Sequence, residues 1–124
     1  MKRKAAFIYT DLLSRYIIRD DHVMVPSRLR YAYELLEAYD AFRKPDSRIW
    51  EPRLATRDEI GLFHTRDYIE AVHDLSVKRN KSLAAEFNFS DVGDNPIYPG
   101  IYEAAALSTG GSVVAADLVS RGIV

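Results

Sequence analysis

The sequence predicts an α/β fold built on an open parallel sheet, and three observations carry that expectation. "AAFIY", Ala5 to Tyr9, is a short apolar run with an aromatic and a β-branched residue, the pattern of a strand buried on both faces. "SRLRYAYELLEAYDAF" then places Leu29, Ala32, Leu36 and Tyr39 on one helical face, with Ser27 available as N-cap. "RIWEP", Arg48 to Pro52, sets Ile49 and Trp50 before a terminating proline and reads as a second strand. Together these form a β-α-β unit.

Further along, Thr56 and Glu59 in "TRDEI" have capping-box spacing, each side chain satisfying an orphan backbone donor of the first turn, so a short helix starts there. Thr65 can cap a second helix, in which Asp67 near the N-terminus favours the dipole and Tyr68, Val72 and Leu75 form an apolar stripe. From Lys78 to Val92 clear periodicity is lost and a long loop is expected. The last helix, from about Gly100 to Arg121, is apolar nearly all round, and its alanines and glycines permit close backbone approach. Gly122 sits where a left-handed C-terminal cap belongs, and Ile123 and Val124 resemble the first residues of another buried strand. Such a helix expects neighbours on several sides. Residues 1–124 are therefore expected to form a single partial domain, the front part of a larger α/β domain.

Composition narrows the function classes. The 124 residues are 48% hydrophobic and 28% charged, the make-up of a soluble globular domain rather than a disordered or fibrous chain. Seventeen basic against eighteen acidic residues leave no global field for phosphate backbones or anionic lipid, so no nucleic-acid partner is expected. The absence of cysteine removes disulfides, thiol nucleophiles and cysteine-ligated zinc, and agrees with a cytoplasmic location. "MKRK" resembles the basic start of a signal peptide, but "AAFIY" is too short for an export core. The apolar run Ile101 to Val119 approaches membrane-spanning length; its small residues, with Glu103 and Asp117, instead indicate a buried soluble helix and no membrane partner.

Candidate chemistry is sparse. The only histidines, His22, His64 and His73, have neither a second histidine nor a carboxylate at ordinary metal-ligand spacing, and His64 and His73 read as structural or surface residues. No serine lies in a nucleophile-elbow context. "STGGS" lacks the lysine of a phosphate loop and reads as a close-packing site. "GDNPIYPG" is more informative: Gly93 and Asn95 allow a tight turn, Pro96 and Pro99 stiffen it, and Asp94 stands on that platform before a helix. Two readings stand for Asp94, a ligand contact or an Asx turn that uses its carboxylate on nearby backbone donors.

"DDHVMVPSRLRYAYELLEAY", "EPRLATRDEI", "FHTRDYIEAV" and "GDNPIYPGIYEAAALSTGGSVVAA", in this order and over essentially the whole chain, resemble the N-terminal portion of histone-deacetylase-like proteins, closest to their bacterial and archaeal acetoin-utilization branch. The resemblance implies part of an arginase-deacetylase fold, an open parallel sheet in a three-layer α/β/α arrangement. It also implies a zinc-dependent hydrolase that removes acetyl groups from lysine side chains or small acetylated amines. In that family zinc activates a water, a histidine pair moves protons and a tyrosine steadies the oxyanion. None of these falls on this chain, so no catalytic or metal residue is assigned and no bound zinc is expected on it.

Three roles do carry over through the resemblance, and His22 falls at the implied pocket rim. Asp94 matches the loop aspartate that accepts hydrogen bonds from substrate backbone amides. Arg28 matches the arginine beside an internal channel for released acetate; its alternative is a surface ion pair with Glu34. Tyr9 matches an aromatic lining the same region, although core packing alone would explain it. Where many members have "H-P-x-K-P-H-R", this chain has "HVMVPSR", with Val23, Val25 and Ser27 at the proline, lysine and second histidine. Loss of the lysine argues against the inositol-phosphate and corepressor site of the eukaryotic class I enzymes. Two function hypotheses follow: the N-terminal part of a zinc deacetylase, or a self-contained non-catalytic module that covers its own exposed surface by self-association.

Overall fold

The computed structural model describes residues 4–78 and 80–124. Most of the basic stretch "MKRK" lies outside them. The chain runs β1 (Ala5–Ile8), a 3-10 turn (Asp11–Ser14), α1 (Ser27–Ala38), β2 (Ser47–Trp50), α2 (Arg57–Gly61), α3 (Arg66–Lys78), α4 (Lys81–Glu86) and α5 (Ile101–Ser120). β1 and β2 pair in parallel, with Ala5 opposite Ser47 and Ile8 opposite Trp50, so the expected β-α-β unit is present. It is an α/β arrangement on a small sheet.

Alternation along β1 sends its residues to two different layers. Phe7 and Tyr9 meet the aromatic rings of Phe42 and Tyr33 on one face. On the other, Ile8 lies against α5 at Gly111. The strand was expected to be buried on both faces, but no residue from Ala5 to Ile8 is fully buried, because two strands leave much of the sheet uncovered.

The inward face of α1 also differs from expectation. Tyr33 stacks on Tyr9 with centroids 4.4 Å apart and an interplanar angle of 4°, turning Leu29, Tyr33 and Leu36 inward while Tyr39 remains 78% exposed. Nor is Ser27 the N-cap. Pro26 occupies that position with φ −60°, already a helical value, and no side chain caps the first turn.

Other local expectations hold. Thr56 Oγ1 accepts from the Glu59 N–H, and the Glu59 carboxylate accepts from the Thr56 N–H at 2.8 Å, completing the capping box of α2. Arg53 grips both oxygens of the same carboxylate. With the Arg53 hydrogen bonds first and the Thr56 N–H second, Glu59 is held down to about 2. Thr65 accepts from the Tyr68 N–H at the start of α3, and Val72 and Leu75 of the predicted stripe are buried.

The expected loop after Lys78 contains α4, capped by the Asn80 side chain on the N–H groups of Ser82 and Leu83. The helix is shorter than two full turns, too short to impose a visible period on the sequence. Its Ala84 joins Val72, Leu75, Phe89 and Ile101 in the main core, which therefore sits among α3, α4, α5 and the following loop rather than on the sheet.

Gly110 explains how α5 is seated. The segment Arg53–Ala55 crosses α5 at this residue: a Cβ there would sit on the Arg53 carbonyl oxygen and 2.7 Å from the Ala55 nitrogen. The Ala55 N–H donates to the Ala106 carbonyl at 2.9 Å. "STGGS" is thus a close-packing site, as its sequence indicated. α5 ends on Gly122 at φ 65°, with Gly122 N–H donating to Val119 and Ile123 N–H to Leu118, a Schellman closure. Ile123 and Val124 form no strand among the described residues; they line one cavity with Ala5 of β1 and Arg48 and Trp50 of β2. No described helix is long and apolar enough to cross a membrane.

Candidate substrate rim

The loop bearing Asp94 is anchored at both ends. After α4, Asn88 takes φ 60° and Phe89 N–H donates to the Ala84 carbonyl at 2.8 Å, a left-handed helix end that drives Phe89 into the core. At the other end Pro96 is buried, and Ile97 and Tyr98 pack against the same core. Gly100 then turns the chain into α5 at φ 79°, where a Cβ would come within 2.8 Å of the Tyr16 ring, so glycine is required twice over. Between the anchors, Ser90 N–H donates to the Asn95 carbonyl at 3.0 Å, and Gly93 N–H to Ser90 at 3.3 Å. Asp94 stands exposed at the tip.

Two side chains from the segment before α1 hold this tip by its backbone carbonyls. His22, only 6% exposed, accepts the Met24 N–H on Nδ1 at 3.0 Å. That assigns the proton to Nε2, which donates to the Asp94 carbonyl at 3.3 Å. Arg19 Nη1 donates to the carbonyls of Asp91 at 2.9 Å and Gly93 at 3.3 Å, while its Nε is bound by the Asp21 carboxylate. The Asp94 backbone is thus fixed, whereas its carboxylate accepts no hydrogen bond among the described residues. The Asx turn weighed from sequence is not formed. What remains is an exposed anionic acceptor on a pinned loop, suited to two neighbouring N–H donors.

Arg28 lies in the first turn of α1 and lines a groove of about 180 Å³ with Tyr16, Met24 and Tyr98. It makes no ion pair among the described residues; the Glu34 carboxylate considered for it is taken by Arg30 at 3.2 Å. Burial raises the Tyr98 phenol above its ordinary value, so Tyr98 stands in the groove as a neutral hydroxyl. Tyr98 also lines the neighbouring groove beside Arg19 and Asp91. His22 is hydrogen-bonded to Met24 and to the Asp94 carbonyl, and Met24 lines the groove of Arg28, but neither His22 nor Asp94 lines that groove.

Tyr9 is not brought to them. It is 6% exposed in the aromatic stack on Tyr33 and donates its hydroxyl to Asp11 Oδ1 at 2.8 Å. Burial, then the Asp11 hydrogen bond, holds its phenol above the ordinary value. His64 stacks on Tyr68 and His73 packs edge-on against Tyr102, both away from the rim loop. Among the described residues no three His, Cys, Asp or Glu side chains are grouped to hold a metal, so the residues present do not fit a zinc centre. Arg19 was not singled out from sequence: its partners are carbonyls some seventy residues away, and such a contact has no local pattern.

The histone deacetylase domain model matches residues 22–124, a span that contains the whole rim loop and α1 to α5. The chain is 35% identical over 120 residues to the acetoin utilization protein AcuC of Bacillus subtilis (strain 168), covering 97% of this chain and 30% of that protein. It is 32% identical over 124 residues to histone deacetylase RPD3 of Saccharomyces cerevisiae, covering 98% of this chain and 28% of that protein. With histone deacetylase HDAC1 of Drosophila melanogaster the identity is 31% over 121 residues, 97% of this chain and 23% of that protein. The chain thus spans less than a third of the length of these relatives. On the family match and these likenesses together, the chain belongs to the histone deacetylase domain family.

Proposed function

We propose that this chain supplies the substrate rim of a zinc-dependent deacetylase that hydrolyses the acetyl amide of acetyl-lysine or of a small acetylated amine, within a three-layer arginase-deacetylase fold. One observation carries the reading: the Asp94 carboxylate is exposed and unengaged among the described residues, on a loop whose backbone is held by Arg19 and His22. A carboxylate so placed accepts two successive substrate N–H groups and fixes the acetylated side chain's direction of entry. Arg28, a permanent cation facing a groove beside Tyr98, suits passage of released acetate. The cysteine-free sequence supports a cytoplasmic setting, and its net charge of -1 gives nucleic acid no general attraction.

The test is kinetic, in the full-length protein with zinc. It is expected to deacetylate an acetyl-lysine peptide, and Asp94→Ala is expected to lower kcat/KM by about 30- to 150-fold, equivalent to about 2–3 kcal/mol, with zinc content retained. Unchanged peptide kinetics in Asp94→Ala would remove the role.

A second reading, self-association of the chain, is favoured by a specific observation. Leu62 and Phe63, consecutive residues after α2, are 89% and 88% exposed. An uncovered apolar pair of this kind is expected to seek a partner surface.

A further inference from the structure

We infer that Arg19 is a positioning residue for substrate recognition, clamping the rim loop so that the Asp94 carboxylate is presented in one orientation. This rests on the substrate-rim reading and deepens it. Three contacts make the clamp. Nη1 of Arg19 bridges the carbonyls of Asp91 and Gly93, the residues at either end of the turn that precedes Asp94. Nε is bound by the Asp21 carboxylate, which uses a different edge of the guanidinium and sets its plane. His22 then donates to the next carbonyl, that of Asp94 itself. Arg19 and His22 thus act on three carbonyls within four residues of a loop whose own hydrogen bonds, among the described residues, are those of the Ser90 and Gly93 amides and a 3.5 Å contact from the Asn95 side chain to the Asn88 carbonyl.

The clamp is more than surface decoration. The Arg19 side chain is 33% exposed although it extends from an irregular segment, and the Asp21 carboxyl is held below its ordinary value, first by the Arg19 hydrogen bond. An arginine bridging two carbonyls loses little rotamer freedom per hydrogen bond formed, because the planar fork is already arranged. Without it the 91–94 backbone would keep its anchors at Phe89 and Pro96 and the His22 contact at the Asp94 carbonyl but lose the two contacts at Asp91 and Gly93. Asp94 would then sample several directions, and a substrate would have to order the loop on binding.

The experiment uses the full-length protein and reads two things. Hydrogen exchange at the Ser90 and Gly93 amides reports the clamp directly; Arg19→Ala is expected to accelerate it at least about fivefold, with exchange in α3 and α5 unchanged. Steady-state kinetics report the role: KM for an acetyl-lysine peptide is expected to rise about 5- to 20-fold while kcat/KM for a small acetylated amine stays unchanged. Arg19→Lys, which can reach one carbonyl, should recover part of the loss, and it serves if the alanine variant does not fold. Combined with Asp94→Ala, Arg19→Ala should add nothing, as the two act through one contact. Unchanged loop exchange and peptide KM, or equal losses on peptide and small amine, would overturn the proposal. If Asp94→Ala is itself silent on peptides, the rim reading fails and this inference falls with it; if only Arg19→Ala is silent, the rim reading stands without the clamp.

Discussion

Replacing Gly110 by alanine is the sharpest structural perturbation available in this chain. The new Cβ would land on the Arg53 carbonyl oxygen, 2.7 Å from the Ala55 nitrogen and 2.8 Å from the Arg53 carbonyl carbon. Ordinary contact requires more than about 3.4 Å and the oxygen lies at 1.7 Å, so the crossing segment must withdraw by more than about 1.5 Å. Because the obstacle is backbone, rotamer changes cannot relieve it. Withdrawal breaks the 2.9 Å hydrogen bond from Ala55 to Ala106 and pulls on the Arg53 side chain that holds the α2 cap. Overpacking costs about 1–3 kcal/mol, the lost bond about 1, and the better helix propensity of alanine returns about 1. Since the clash falls on backbone, a net loss of about 2–3 kcal/mol is expected, a fall in Tm on the order of 6–15 °C for a chain of this size. Gly111→Ala is the control: its Cβ would meet Ile8 Cγ2 at 3.4 Å and Pro52 Cβ at 3.5 Å, ordinary contacts. It should be neutral or stabilising by up to about 1 kcal/mol. Urea and thermal unfolding of the two variants would refute the argument if Gly110→Ala were as stable as the parent.

Other expectations follow from individual side chains. Glu59 should titrate at about 2, against an ordinary value of 4.5; its stabilising contribution is therefore complete above the ordinary value and is lost as pH falls toward about 2. Arg53→Gln should return the Glu59 midpoint most of the way to the ordinary value, read by carboxyl NMR; an unmoved midpoint would refute the cause assigned. Arg28→Ala should reduce turnover in the full-length protein with a Tm change equivalent to no more than about 1 kcal/mol, because Arg28 has no ion-pair partner among the described residues and even a surface pair is worth no more than that. Full turnover would return Arg28 to a surface role. The 124-residue chain alone should self-associate through surface that includes Leu62 and Phe63 and should hold no stoichiometric zinc. Light scattering that finds a stable micromolar monomer, or elemental analysis that finds one zinc per chain, would contradict this.

What could be read from sequence divides by the range of the interaction. The Thr56/Glu59 capping box, the Gly122 helix end and the small residues around Gly110 announce themselves because each is decided within a few residues of chain. The β-α-β pairing was legible from two apolar runs around one helical period. On α1 the expected Leu29 and Leu36 do face inward, but Tyr33 takes the place of Ala32 and Tyr39, because the Tyr9 ring just past β1, and not the helix's own pattern, selects it. α4 escaped because Asn80 caps too short a helix for periodicity to register. At the rim, Asp94 was legible as a residue on a stiff platform, but its unengaged carboxylate and the Arg19 and His22 contacts behind it are tertiary facts. Charge and composition contain no trace of them.

The central claim is that Asp94 receives substrate backbone N–H groups, and replacing those groups tests it most directly. An acetyl-lysine peptide and its depsipeptide analogue, with the flanking amide N–H replaced by an ester oxygen, can be compared as substrates of the full-length protein and of Asp94→Ala. The parent should prefer the amide by about 10-fold or more in kcat/KM, the worth of a charge-assisted hydrogen bond, and Asp94→Ala should lose that preference. Equal discrimination by both proteins would show that the carboxylate does not read the substrate backbone and would contradict the account.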